Sequence, residues 1–437
     1  MKVLKYGSST MTSSERIRQV AKLVAANKGK GDIVVLSSIN GSRKALTEIA
    51  DYLYKKNVDG AKELLNILEL QYNKLVDDLF VDPLKNAKIK KVVESVATEI
   101  REISKDLFTK YEEKIIVAQG ELLISEIFVA YLETIGVQAK HLNALDFMKT
   151  DKNDEPDANF IRCSLSNLME NGKEADIFVT EGFICRNAYG EVDNLGNGGS
   201  DYSSTLIGAA IQADEVQIWS DTDGIFNSDP TIVEAARPVK NLNFDETAEL
   251  SYFLDKVIHP MCILPAKLAN VPIRLMNIMC PQNEGIYVSS EMPAGMVKSI
   301  AAKDGITMIK IKSVKMLLAH GFLRRVFEVF EGHKTAIDMI TTSEIGVSVT
   351  IDNDKYLEEI LDDLKTFGTV TVNRNMTIIC VVGDMRCGEG VTNAVLEAVK
   401  SLPVQMISYG GSLQNISLLV DKKDKKLALN QLNKSLF

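Results

Sequence analysis

The sequence predicts an α/β fold: a mainly parallel sheet with helices on both faces, followed by a duplicated smaller module. Two observations carry this. Short apolar runs alternate with polar loops and helical periods through most of the chain, the pattern of a parallel sheet wound with helices. The remaining residues carry strand-like and helical runs but are too few for a second large sheet domain. A chain of 437 residues is also too long for one small core.

The elements follow in order. Val3–Tyr6 reads as the first strand, before Gly7-Ser8-Ser9-Thr10 and the amphipathic stretch from Glu15 to Ala26. Ile33–Leu36 precedes the small polar stretch from Ser37 to Arg43 and a helix through Leu46 and Ile49. From Leu46 to Lys110 the chain is helical by period and rich in Lys and Glu, which predicts a solvated helical layer. Ile115–Ala118 reads as a strand ending at Gln119-Gly120-Glu121. Ile177–Val179 reads as a buried strand, and the later Gly196-Asn197-Gly198-Gly199-Ser200-Asp201 opens a helix through Leu206 and Ala210. Val216–Trp219 precedes Ser220-Asp221-Thr222-Asp223-Gly224. In a parallel sheet, ligands collect at loops leaving the strand C-terminal ends. A boundary is expected near Ser289–Lys303. Beyond it, Ile306–Ile311, Ile345–Ile351, Thr377–Val382 and Ile416–Val420 read as strands. Phe322–Phe330, Leu357–Phe367 and Val391–Val399 read as helices, giving two ferredoxin-like units in tandem.

Composition excludes several classes. A net charge of −9 gives no electrostatic case for nucleic acid or an anionic membrane. Six scattered cysteines without a CxxC pair, and four histidines without ligand spacing, predict a reduced, metal-free cytoplasmic protein. The start MKVLKYGSS lacks the apolar stretch of a signal peptide, and no apolar run is expected to span a bilayer.

The loops carry the chemistry. Lys5 ends a strand beside backbone donors and suits a nucleotide's phosphates, although no Walker sequence follows. The stretch from Ser37 ends on the guanidinium of Arg43. Glu121 suits a substrate ammonium, or else simply favours a helix N-terminus. Gly198, Gly199, Ser200 and Asp201 make an anion site at a helix end, or else an ordinary N-cap. Ser220, Asp221 and Phe226, with Asp229-Pro230 behind, suit a ribose and adenine, or else form a plain turn. Lys256 is a second phosphate lysine, and His259 reads as structural. Together these loops fit a kinase, whose reaction depends mainly on positioning and charge neutralisation. A carboxylate acceptor is already ionised and needs no general base, and Mg2+ would be carried by ATP oxygens and water.

The segments KYGSST, VTEGFI, LGNGGSDYSSTL, IWSDTDGIF and DKVIHPMCILPAKLANVPI resemble the aspartokinases of the amino acid kinase family. HGFLRRVF with DMITTSE, and then VQMISYGGSLQNISLLV, resemble its two ACT modules. The resemblance implies an amino acid kinase domain over 1–292 and ACT domains over 300–370 and 371–437. It implies transfer of the ATP γ-phosphate to the L-aspartate side chain, the first step towards lysine, threonine and methionine. It places Lys5, Gly7, Ser8, Ser9, Ser220, Asp221, Phe226, Asp229 and Lys256 at the nucleotide. Ser37, Arg43, Glu121, Asn197, Gly198, Gly199, Ser200 and Asp201 fall at the acceptor, with Lys5, Asp201 and Lys256 catalytic. Met316, Gly321, Phe322, Leu323, Ile337, Asp338, Thr342, Ser343 and Glu344 match the lining of an effector site for lysine or threonine. Asp338 is the natural partner of the effector's ammonium. A homodimer through the ACT modules, or a tetramer, is also implied.

The chain departs from the family pattern at the acceptor. Asn197 stands where the family's arginine grips the substrate carboxylate, and Arg43 stands where the family has threonine. Ser8 replaces a glycine, Thr231 an arginine, and Leu254-Asp255 a Gly-Ala pair. Three readings follow. Arg43 restores the lost charge, or the acceptor is a different carboxylic acid, or the chain is a weakly active paralogue that binds an amino acid.

Overall fold

The computed structural model describes all residues except 28, 106, 197, 223, 254–256, 292–296, 314–319 and 386–389. Strand β1 (Lys2–Tyr6) buries all but its first residue, and β2 (Asp32–Leu36) buries all five. Strands apolar on both faces belong in a parallel sheet covered on each side. With β3 (Ala139–Leu142), β4 (Ile177–Glu181), β7 (Glu215–Ser220), β8 (Asn241–Asn243), β9 (Ile273–Asn277) and β10 (Ile286–Ser289) they form an eight-stranded sheet. Its order is β3-β4-β2-β1-β7-β9-β10-β8, and β5 (Ile184–Arg186) pairs separately with β6 (Val192–Asn194). Pairing is parallel from β3 through β9, so the loops after β1, β2, β4 and β7 leave the sheet at one edge. Backbone bonds draw those ends together. Ser37 N–H donates to Tyr6 O at 3.1 Å and Gly182 N–H to Leu36 O at 2.8 Å.

Helices cover this sheet: α1 (Ser14–Asn27), α2 (Ser42–Tyr54), α3 (Val58–Leu79), α4 (Pro83–Ile103), α5 (Lys110–Thr134), α6 (Ala144–Phe147), α7 (Ala158–Glu170), α8 (Gly199–Ile211), α9 (Phe244–Ser251) and α10 (Ile263–Ala269). The charged stretch expected as a solvated layer is α2 to α4, and each of these helices also buries a stripe. Leu65, Leu68, Tyr72 and Leu75 on α3 join Ile89, Val93, Ala97 and Ile100 on α4 in the main core. Asn57 and Asp82 cap these two helices by accepting backbone N–H groups.

The strand expected at Ile115–Ala118 is instead the second turn of α5. Thr109 and Glu112 form a capping box, with Glu112 accepting from Thr109 N–H at 2.9 Å, so the helix starts before the apolar run arrives. A short apolar run has no period of its own to oppose this. Gly120 and Glu121 therefore lie mid-helix, not in a strand-end loop. Gly120 lets α2 pack close: a Cβ there would stand 3.0 Å from Leu46 Cδ1 and 3.4 Å from Ser38 Cβ. By length and composition α5 could also cross a bilayer, contrary to the sequence expectation, but 67% of its most apolar window is buried inside the fold. That is the behaviour of a core helix.

The second unit holds a six-stranded antiparallel sheet in the order β12-β13-β11-β14-β16-β15. Its strands are β11 (Val297–Lys312), β12 (Ile340–Ser343), β13 (Gly346–Ile351), β14 (Thr369–Gly383), β15 (Met406–Tyr409) and β16 (Asn415–Asp421). Helices α11 (Phe322–Gly332), α12 (Leu357–Lys365), α13 (Val391–Ala398) and α14 (Lys425–Leu436) pack on it. Two cores form on this one sheet. Ile309, Phe322, Val326, Val349 and Ile360 build the first, and Ile300, Ile379, Val381, Leu418 and Leu429 the second. β11 and β14 are long enough to serve both. Lys312 pairs with Thr369 at one end and Val297 with Gly383 at the other. The boundary expected at 370/371 thus falls inside β14, and the first half of β11 completes the second module. Ile225–Val239 and Asp245–Leu254, within the expected catalytic stretch, belong to the second unit.

Position 182 is the tightest constraint on the first unit. A Cβ at Gly182 would lie 2.3 Å from Ser200 Cβ and 2.6 Å from Ser200 Cα, in the first turn of α8. Gly182→Ala is expected to destabilise the protein by about 1–3 kcal/mol, the cost of overpacking. Urea denaturation checks this, and an unchanged midpoint would show that α8 can retreat freely.

Candidate active site

The site begins where β1 ends. Lys5 is 8% exposed, and its ammonium pairs with the carboxylate of Asp201 in the first turn of α8. Gly7 leaves the space it needs, since a Cβ there would stand 2.8 Å from Lys5 Nζ. Ser8, Ser9 and Thr10 form a tight turn, with Thr10 N–H and Oγ1 both donating to Gly7 O at 2.9 and 2.7 Å. Backbone N–H groups and a lysine therefore share one strand end, as phosphate binding requires.

The glycine loop opens α8. Gly198 and Gly199 have φ of +98° and +46°, a conformation that L side chains rarely adopt. At Gly198 a side chain would also strike His259, whose Nδ1 lies 2.9 Å from the Cβ position. The helix end carries partial positive charge and free N–H groups. Ser200 Oγ stands 2.5 Å from Ser37 Oγ, so the β2 end meets the first turn of α8 across two hydroxyls. Ser203 Oγ accepts from Phe183 N–H at 2.8 Å and donates to Gly199 O at 3.2 Å, tying the β4 end to the glycine loop.

The third part is a charge pair. Arg43, in the first turn of α2, directs Nε and Nη2 at Oε1 of Glu121 on α5, the Nε contact being 3.1 Å. Glu121 is fully buried. Burial pushes its carboxyl above the usual range, and Arg43 and Ser38 draw it back. Its Oε2 makes no hydrogen bond among the described residues. The guanidinium carbon lies over the Phe183 ring, 3.9 Å from the centroid. Phe183 has φ +74°, and the Ser203 bond and Leu195 N–H on its carbonyl at 2.8 Å fix that strained backbone. Arg43 Nη1 lies 3.8 Å from the Cβ position at Gly199, so the guanidinium borders the glycine loop.

The first unit thus gathers Lys5, Gly7, Ser8, Ser9, Ser37, Arg43, Glu121, Gly198, Gly199, Ser200 and Asp201. Ser220 ends β7 beside β1, its Oγ 3.1 Å from Thr222 Oγ1, and the exposed Asp221 follows. Phe226 and Asp229 belong to the second unit. There Ser299 Oγ donates to Phe226 O at 2.6 Å, and Asp229 accepts from Thr231 N–H and hydroxyl at 2.9 and 2.6 Å. Asn197, Lys256 and Met316 lie outside the described residues. Among the described residues no group of three His, Cys, Asp or Glu is placed to hold a metal ion. Phe183 and Ser203 were not foreseen from the sequence, because a positive φ at an aromatic residue leaves no local signal.

The proposed effector residues lie in the second unit. Gly321 precedes α11 with φ +82°, Phe322 buries its ring in the first core, and Leu323 is part-exposed. Ile337 and Asp338 lead into β12, which carries Thr342 and Ser343 before the exposed Glu344. Asp338 Oδ1 accepts from the Tyr252 hydroxyl at 2.5 Å. Burial pushes Asp338 up to about 6, with Asp352 adding to the rise and Tyr252 and Lys303 opposing it.

Comparison with known proteins identifies the family. The model of the amino acid kinase family matches residues 1–277, and that of the ACT domain matches 379–436. Chloroplastic aspartokinase 1 of Arabidopsis thaliana is 30% identical, the match covering 100% of this chain and 80% of that protein. Lysine-sensitive aspartokinase 3 of Escherichia coli is 28% identical, with 100% and 99% covered. The crystal structure of E. coli aspartokinase III with lysine and aspartate superposes with a TM-score of 0.87 at 27% identity, covering 100% of this chain and 99% of that one. The same enzyme with aspartate and ADP gives 0.81 at 27% identity, both chains covered in full. With the lysine-bearing strand end and the glycine-opened helix in place, the chain belongs to the amino acid kinase family, among the aspartokinases with C-terminal ACT domains.

Proposed function

We propose that the chain transfers the γ-phosphate of ATP to the side-chain carboxylate of L-aspartate, giving 4-phospho-L-aspartate and ADP. The observation that carries this reading is the Arg43–Glu121 pair bordering the glycine loop. A guanidinium and a buried carboxylate with a spare oxygen complement the two backbone charges of an amino acid. Glu121 takes the ammonium. Arg43 takes the α-carboxylate, supplying the charge that Asn197 lacks. The relatives from E. coli, described with aspartate, ADP and lysine, support substrate, nucleotide and effector class alike.

The chemistry needs little from the protein beyond placement. An aspartate side-chain oxygen attacks the γ-phosphorus, a new P–O bond forms, and the bond to the bridging oxygen of ADP breaks. The attacking group is already a carboxylate, so no proton has to be removed. Lys5 neutralises phosphate charge, with Lys256 in the same role by resemblance. The N–H groups at the start of α8 and the Ser37 and Ser200 hydroxyls face the charge that builds on the transferring group. Asp201 holds the Lys5 ammonium at the strand end until phosphate oxygens share it. Mg2+ would ride on the nucleotide's oxygens and neutralise the phosphates. Lysine or threonine acts as feedback effector with Asp338 on its ammonium, and the ACT modules form the dimer.

A changed acceptor is the second reading, favoured by the exchange of arginines at positions 43 and 197. Acyl-phosphate formation, trapped with hydroxylamine across a panel of amino and carboxylic acids, decides between them. Turnover of aspartate supports the first reading, and turnover of another acid alone supports the second. In Arg43→Ala the aspartate KM is expected to rise at least about tenfold, the loss of a charge-assisted pair, while the ATP KM stays within about twofold. Equal effects on both substrates would refute Arg43 as an acceptor group. Effector binding should depend on pH in one direction. Asp338 is ionised above about 6 and neutral below it, so calorimetric affinity for the effector falls as pH drops through that value. Unchanged affinity across that range would remove Asp338 as the ammonium partner.

A further inference from the structure

The loop after α9 carries a contact that neither catalysis nor effector binding explains by itself. Residues 245–254 are part of the second unit, yet the chain continues directly from them to Lys256. Three side chains pin this segment to the regulatory sheet. Glu249 accepts from Asn415 Nδ2 on β16. Phe253 packs on the apolar cluster of Ile306, Met308, Met339, Met376, Ile378 and Leu419. Tyr252 donates its hydroxyl to Asp338 Oδ1 at 2.5 Å, and its ring lies under Lys303 Nζ at 3.8 Å. Lys303 in turn pairs with Asp352 at 2.8 Å.

The Tyr252 bond uses the oxygen that an effector amine would want. Asp338 has only one other, Oδ2, which is buried and makes no hydrogen bond among the described residues. A phenol is a neutral donor, whereas an ammonium is a charged one with three N–H groups, and a charge-assisted bond is about twice as strong. An ammonium that spans both oxygens of Asp338 takes the spare Oδ2 and displaces the weaker phenol from Oδ1. Resting on the reading of Asp338 as the effector's partner, we propose that the Tyr252 hydroxyl stands in for the effector's ammonium at Asp338. Its displacement releases the segment that leads to Lys256, four residues further on. Tyr252 is then the residue through which an amino acid bound at the regulatory sheet reaches the catalytic chain.

Tyr252→Phe tests this, because it removes the hydroxyl and keeps the ring against Phe253, from which it stands 4.9 Å by centroids. Lysine and threonine are titrated calorimetrically into the full-length protein, and inhibition of hydroxamate formation is measured beside it. The variant should bind its effector about fivefold to tenfold more tightly, the release of one competing hydrogen bond, and its uninhibited turnover should fall towards the inhibited level, because the bond that holds the segment is already absent. It should also be inhibited less at equal occupancy. Unchanged or weaker binding, or inhibition that still tracks occupancy, would overturn the proposal. So would a lowered melting temperature as the sole effect, since the bond would then be a simple staple. Asp338→Asn separates the underlying reading: if that variant binds the effector as wild type does, or if wild type binds neither amino acid, the effector assignment itself fails.

Discussion

The first turn of α8 can lie against the end of β4 only because position 182 carries no side chain. Everything else at the site follows from that approach. It brings Ser200 to Ser37 at the end of β2, sets Asp201 against Lys5, and leaves the helix N-terminus open beside Arg43. The positive φ values at Gly198 and Gly199 turn the chain into the helix with no Cβ in the way. A glycine-rich loop alone says little about chemistry. Held this close to three strand ends, it becomes an electrostatic platform whose N–H groups are fixed before any substrate arrives.

Charge at this platform is balanced in advance. The chain carries a net −9, and among the described residues of the site Lys5 is matched by Asp201 and Arg43 by Glu121. Each pair combines one deeply placed member with one more accessible member, so the ions are not buried unpaired. Substrate groups of the right sign can then share an existing partner instead of paying full desolvation against an empty pocket. The same logic recurs in the regulatory sheet, where Asp338 is held by the Tyr252 phenol and Lys303 by Asp352. An amino acid with one positive and one negative backbone group would suit both places, the substrate and effector sites proposed above.

Strands β1, β2, β4 and β7 were legible because their apolar runs have no polar face and stop at small polar loops, whereas the shorter or more polar β3, β8 and β9 were not. Lys5 was legible because it lies near the end of the first such run, and the α8 N-terminus because its glycines precede a helical period. Glu121 was read on the wrong element. Its local run, Ile115–Ala118, suits strand or helix equally, and the deciding signal is the capping box upstream at Thr109. The Arg43–Glu121 contact spans 78 positions and leaves no mark in local sequence. The need for glycine at 182 comes from Ser200, a neighbour only in three dimensions. Sharing of β11 and β14 by two cores was hidden likewise, since Val297 pairs with Gly383 across a whole module.

The central claim is that one arginine has moved within the acceptor site: the charge lost at Asn197 returns from α2 as Arg43. Moving it back tests this most directly, by measuring the aspartate KM of Arg43→Ala and of Arg43→Ala combined with Asn197→Arg. The account predicts that the second substitution restores most of the affinity lost in the first, with the ATP KM constant throughout. If the double variant binds aspartate no better than Arg43→Ala alone, the two positions do not serve one carboxylate and the account is wrong.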